Sequence, residues 1–280
     1  MNTILPLSFS DFNLPGAEKV LAPLFNMAVQ HRIELMCIGA AALPIALRQQ
    51  GATPRGRFTQ DMDVSFAIRG WDEYFAFIES LLGLGLFHRA KETHRLYGPE
   101  KTIVDLVPFG GVAGSRSSIK WPPENDTEMS VLGFDPVYTV SPEYLVDGRF
   151  TVRIPRPEGF LVLKLFAWAD RKERTRKDAE DIGEILYSCC YGEELYTRYA
   201  HLIDRPDFDF MACCAEILGI KIRDSVPTLT LPLAEILKQE LAQETSSFIA
   251  TLAGSLSYGE SQRLTRELLR GLVGADSVSL

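Results

Sequence analysis

A pair of acids at the head of a buried strand constrains this chain more than anything else in it. The stretch Thr59-Gln60-Asp61-Met62-Asp63-Val64-Ser65-Phe66 puts Asp61 and Asp63 one residue apart. From Met62 onward, Val64, Phe66 and Ile68 alternate with Asp63, Ser65 and Ala67, the period of a strand with one apolar face. Residues i and i+2 of a strand point to the same side, so the two carboxylates project together. Like charges held side by side repel unless cations neutralise them. Oxygen donors in that arrangement suit Mg²⁺ or Mn²⁺. An Asp-x-Asp is also read more plainly, as a turn cap beside a solvated acid, and these residues alone leave both readings open.

A third acid sharpens the choice. Residues 87–96 and 101–109 read as two strands of a hairpin, turning at Tyr97-Gly98-Pro99-Glu100. The return strand contains Asp105 inside Thr102-Ile103-Val104-Asp105-Leu106-Val107. A buried acid without a partner is costly. Asp105 is therefore either in a salt bridge to an arginine or the third carboxylate of a metal site with Asp61 and Asp63. The second account requires the two strands to be neighbours.

Upstream, Glu34 to Ile38 is an apolar run that ends at Gly39, and Gly39-Ala40-Ala41-Ala42 opens a helix to about residue 50. Small residues let that helix end approach a ligand, and its free N–H groups and partial positive charge favour phosphate. A tight strand–helix turn with no ligand is the alternative.

Composition sets the frame. With 280 residues, 46% hydrophobic and 24% charged, the chain is an ordinary globular sequence with room for one large or two smaller domains. A net charge of −8 and a pI near 5.2 argue against a general affinity for nucleic acid, while a local basic patch stays possible. No apolar run approaches a membrane span of about 20 residues, and residues 1–13 lack the pattern of a signal peptide. The expectation is a cytoplasmic protein with no membrane partner. The five cysteines lack Cys-x-x-Cys spacing and the four histidines lie far apart, so reduced buried thiols are expected and a Cys/His metal site is not.

Along the rest of the chain, helical spacing marks 15–31 and 71–82, and strands are expected at 129–134 and 150–154. Pro155 and Pro157 suggest a boundary, giving domains at 1–156 and 157–280. A helix from Glu158 carries Lys164 among apolar residues, read either as snorkelling or as a phosphate contact. Residues 171–177 hold five basic residues, read as a solvated connector or as a triphosphate or backbone contact. Asp178 and Asp181 follow on one helical face and would order that run. Amphipathic segments at 208–218, 231–253 and 258–273 complete a helical C-terminal part. The fold class is α+β: a small mixed sheet flanked by helices, followed by an α-helical domain.

Gly39-Ala40 at a strand–helix turn, Asp61-Met62-Asp63 on the next strand and Asp105 on a later one together resemble the polymerase-beta-like nucleotidyltransferase superfamily. The chain looks most like the AbiEii-type abortive-infection toxin nucleotidyltransferases. In those, an arginine and a small hydroxyl residue precede the acid pair, as Arg57 and Thr59 do here. They also carry a lysine, an arginine and a Lys-Asp-x-x-Asp stretch, matched by Lys164, Arg171 and Lys177-Asp178-Ala179-Glu180-Asp181. The match covers roughly residues 33–186. Ala40 departs from it, standing where the family has Gly or Ser. The resemblance implies a metal-dependent transfer of an NMP from an NTP to an acceptor hydroxyl or phosphate, on RNA or tRNA, protein or a small molecule. Asp61, Asp63 and Asp105 would be catalytic and metal-binding. Gly39, Ala40, Arg57, Thr59, Lys164, Asp178 and Asp181 would serve the nucleotide. A cognate antitoxin is an implied partner, phage defence an implied setting, and a nucleotide- or protein-binding member without activity the alternative.

Overall fold

The computed structural model describes residues 4–54, 59–114, 117–123, 128–189, 191–254 and 256–274. It is α+β, with a mixed sheet and eleven α-helices among the described residues. The chain divides into two compact units, residues 1–46 with 56–156, and 47–55 with 157–280.

The first unit is built on strands β1 (Leu5–Leu7), β2 (Leu35–Ile38), β3 (Asp61–Ile68), β4 (His88–Arg89), β5 (Arg95–Tyr97), β6 (Ile103–Gly110), β7 (Ser118–Lys120), β8 (Glu128–Ser130), β9 (Glu143–Val146) and β10 (Phe150–Arg153). Helices α1 (Ala17–His31), α2 (Gly39–Gln49), α3 (Trp71–Gly83) and α4 (Phe134–Val140) connect them. The large sheet runs β1-β9-β10-β2-β3-β6-β5-β4, and β7 and β8 pair separately. Its centre is β3, antiparallel to β2 and parallel to β6. A parallel neighbour needs a crossover connection, and α3 lies within the one between β3 and β6.

Alternation on β3 does what its sequence dictates. Met62, Val64, Phe66 and Ile68 are buried, and Phe66 meets Tyr74 and Phe77 of α3 at ring distances of 6.0 and 5.3 Å. The acids therefore stand on the opposite side. Apolar spacing in α1 is equally plain: Val20, Leu21, Leu24, Phe25 and Ala28 are all buried.

Three stretches differ from expectation. The segment expected as a strand at 129–134 stops at Ser130, because Gly133 takes a left-handed φ of 91° and α4 begins at Phe134. The single strand expected at 87–96 is two short pieces, since the intervening loop closes on itself through an Arg95 N–H donated to the Glu92 carbonyl at 3.0 Å. The helix expected over 231–253 is two. Ser246 caps the second of them, its hydroxyl accepting the Ile249 N–H at 3.3 Å.

The second unit contains α5 (Pro157–Arg171), α6 (Lys177–Ser188), α7 (Gly192–Tyr196), α8 (Phe210–Ser225), α9 (Thr230–Leu241), α10 (Ser247–Leu252) and α11 (Tyr258–Val273). Helices α8 and α11 cross where Gly219 and Gly271 face each other's backbones. A Cβ on Gly271 would fall 1.9 Å from the Glu216 carbonyl oxygen, and one on Gly219 would fall 2.2 Å from that of Leu268. Cys37, Cys189, Cys213 and Cys214 are buried free thiols. No helix among the described residues is long and apolar enough to cross a membrane.

Candidate active site

The site grows from the register of four strands. Asp63 of β3 lies beside Ile38 of β2 on one side and Asp105 of β6 on the other. Asp61 lies beside Ile103. In a strand pair, registered residues share a face, and so do residues i and i+2. Asp61, Asp63 and Asp105 thus project from one face of the sheet, all three partly exposed.

Gly39 fixes the floor under Asp63. Its φ is +75°, the left-handed region that glycine reaches at low cost. A Cβ built there would lie 2.0 Å from Asp63 Oδ2, so the carboxylate occupies the space a side chain would need. Position 39 therefore requires glycine twice over, for its backbone and for its missing atom. It is also the first residue of α2, whose opening N–H groups lack helical partners. Ala40 follows without a hydroxyl.

Thr59 is engaged locally. Its hydroxyl accepts the Asp61 N–H at 3.0 Å and locks the approach to β3. It holds the first acid's backbone in place, which is a positioning use. Arg57 lies outside the described residues.

Arg95 is the residue that sequence reasoning missed. It sits opposite Asp105 in the β5–β6 pair and donates Nε–H to Oδ1 and Nη2–H to Oδ2, both at 2.7 Å. Hydrogen bonding to Asp105 is the main reason that the guanidinium holds its proton more tightly than usual, and the Asp61 charge contributes in the same direction. The arginine salt bridge weighed for Asp105 is therefore present. Asp105 stands beside Asp63 in register, and a guanidinium covers its oxygens. Among the described residues no set of three His, Cys, Asp or Glu side chains is disposed to hold a metal ion. By donor chemistry Asp61 and Asp63 fit a divalent cation. Asp105 fits one only when Arg95 releases it.

The turn geometry explains the omission. A four-residue turn at 97–100 would set Arg95 opposite Thr102. Instead Pro99–Lys101 forms a 3₁₀ turn, which lengthens the loop and brings Arg95 level with Asp105.

In the second unit Lys164, Asp178 and Asp181 do come together, with Arg171. Lys164 Nζ lies 3.2 Å from Asp178 and 2.6 Å from Asp181. Arg171 donates to both oxygens of Asp178, at 2.7 and 2.8 Å. The Asp178 side chain is 1% exposed. Burial by itself would raise its pKa, but the Arg171 hydrogen bonds and the Lys164 charge outweigh that and hold it below the usual carboxylate value. This cluster ties α5 to α6, an internal use for groups expected to serve a nucleotide.

No protein-family model matches the chain, and no curated protein matches it. Among solved structures it is similar to the antibiotic-resistance factor ANT(2'')-Ia, whose solution structure was described as revealing substrate-regulated conformation dynamics. The identity is 14%, covering 65% of this chain and 92% of that one, with a TM-score of 0.36. That neighbour has a nucleotidyltransferase fold. A likeness of this depth fixes neither family nor activity, and nothing in these matches supports an AbiEii-type relationship.

Proposed function

We propose that this chain is a nucleotidyltransferase, moving an NMP from an NTP to an acceptor hydroxyl or phosphate. One observation carries the reading: Asp61, Asp63 and Asp105 share a sheet face directly above the glycine that opens α2. A divalent ion held by Asp61 and Asp63 would neutralise charge on the reacting phosphates and on the departing pyrophosphate. The chain's own residues do the rest. Gly39 leaves room for the Asp63 carboxylate, and the first N–H groups of α2 donate to the phosphates. Thr59 keeps Asp61 from drifting by binding its backbone. Asp105, once free of Arg95, accepts the proton of an acceptor hydroxyl. Positioning and charge neutralisation carry the rate, with no covalent step asked of the protein.

Lys164, Asp178 and Asp181 enter this reading more weakly, because each is already satisfied within its own cluster. RNA or tRNA, a protein and a small molecule are the acceptor classes of the reading, and it extends to a toxin held in check by an antitoxin.

Incubation with each NTP labelled at the α-phosphate, Mg²⁺ and a mixture of acceptors tests it. Label should move to an acceptor, and Asp63→Asn should reduce transfer by at least about 100-fold with an unchanged circular dichroism spectrum. Transfer at the wild-type rate by Asp63→Asn would remove the acid row from the chemistry. A second reading has its own observation: the Arg95–Asp105 pair and the missing hydroxyl at Ala40 suit a member that binds nucleotide without turning it over. Mg²⁺-dependent NTP binding with no label transfer selects that alternative.

A further inference from the structure

The first unit has a concavity that the proposed reaction does not use. A cavity of about 350 Å³ opens at the β4–β5 edge of the sheet, lined by Phe75, Arg89, Lys91, Thr93, Arg95 and Pro122. Its size suits a small molecule. Three cationic residues in one lining are notable in a chain of net charge −8. Glu92 also lines it, Arg89 pairs with Glu79, and Arg95 pairs with Asp105. Lys91 has no ion pair among the described residues. Phe75 and Pro122 supply an apolar wall, and the Thr93 hydroxyl donates to the Pro122 carbonyl at 3.4 Å.

Arg95 belongs to both places. It gives Asp105 one Nε–H and one Nη2–H. A guanidinium carries five N–H groups, so three are not used by that carboxylate. An anion that gains from Lys91 and Arg89 while competing with Asp105 and Glu92 needs more than one negative charge and acceptors in several directions. A phosphate dianion meets both needs, and arginine's fork matches it.

We propose that this cavity binds a phosphomonoester with a flat apolar body, and that Arg95 couples its occupancy to the acid row. The phosphate sits among Lys91, Arg89 and Arg95, and the apolar body lies against Phe75 and Pro122. The bound anion draws Arg95 from Asp105, and Asp105 is left facing Asp61 and Asp63, with which it already shares a sheet face. Only the purpose of the coupling rests on the nucleotidyltransferase reading: the bound phosphomonoester is then the acceptor, whose arrival completes the row.

Calorimetric titration of the full chain with phenyl phosphate, and with phenol as the uncharged control, tests this without any nucleotide. Phenyl phosphate should bind saturably with a Kd below about 1 mM, and phenol should not. Exposed Lys91 tolerates replacement, and Lys91→Glu should weaken binding about tenfold or more. Asp105→Asn should tighten it severalfold, because Arg95 then faces one anion instead of two. Absence of saturable binding, or equal binding by Lys91→Glu, overturns the site. Unchanged affinity in Asp105→Asn overturns the coupling. A chain that binds phenyl phosphate here and transfers nothing from any NTP keeps this site and loses the preceding reading.

Discussion

Asp63 and Gly39 show how one missing atom can define a site. Gly39→Ala would force a Cβ to within 2.0 Å of the Asp63 carboxylate, at a φ that suits glycine. We expect a stability loss of about 1–3 kcal/mol in urea unfolding and loss of nucleotidyl transfer, since the carboxylate has to move. The acid pair and the glycine were legible in the sequence because each depends on chemistry spaced one or two residues apart. Arg95 was not. Its pairing with Asp105 depends on a hairpin register, and that register depends on where the loop around Pro99 turns. A loop that starts one residue later and is one residue longer is invisible in local composition, yet it shifts the pairing by three residues and changes which residue covers the third acid. Thr59 was legible as a neighbour of the acids, but its use by the Asp61 backbone was not.

Among elements, the helices of the second unit are held by contacts of two opposite kinds. Where α8 and α11 cross, carbonyls occupy the space of absent side chains. Gly271→Ala should push the helices apart and lower the unfolding free energy by about 1–3 kcal/mol, read from the shift in denaturation midpoint. Where α5 meets α6, a buried carboxylate is gripped by Arg171 and Lys164. Glu240 of α9 is similar: burial pushes its pKa up, but Trp168, Lys172 and Ser246 outweigh that and hold it down. Carboxylates whose folded pKa lies below the unfolded value add stability that is complete above the unfolded pKa. That stability is lost as pH falls through the folded one. Stability should therefore fall steadily below about pH 5, and Asp178→Asn should lower the neutral-pH plateau while flattening the acid slope, as followed by tryptophan fluorescence. Long amphipathic helices such as α11 were readable from periodicity alone. The break between α9 and α10 was not, because it follows from Ser246 capping one helix while binding Glu240 of the other.

At the scale of the whole chain, two compact units share an acidic polypeptide, and the large sheet contains the row of acids. The prolines at 155 and 157 mark a boundary at 156–157 in the sequence, whereas the second unit combines residues 157–280 with 47–55. The grouping of residues 47–55 with residues more than a hundred positions away leaves no local mark in the sequence. Within the acid row, Asp105 is neutralised by Arg95, a counter-ion from the chain itself. Excess EDTA should accordingly leave the melting temperature of the purified chain within about 2 °C of its untreated value, by differential scanning calorimetry. On the proposed reading, a polypeptide whose third acid already has a counter-ion can fold before any divalent ion arrives. Metal loading would then be a separate, later event.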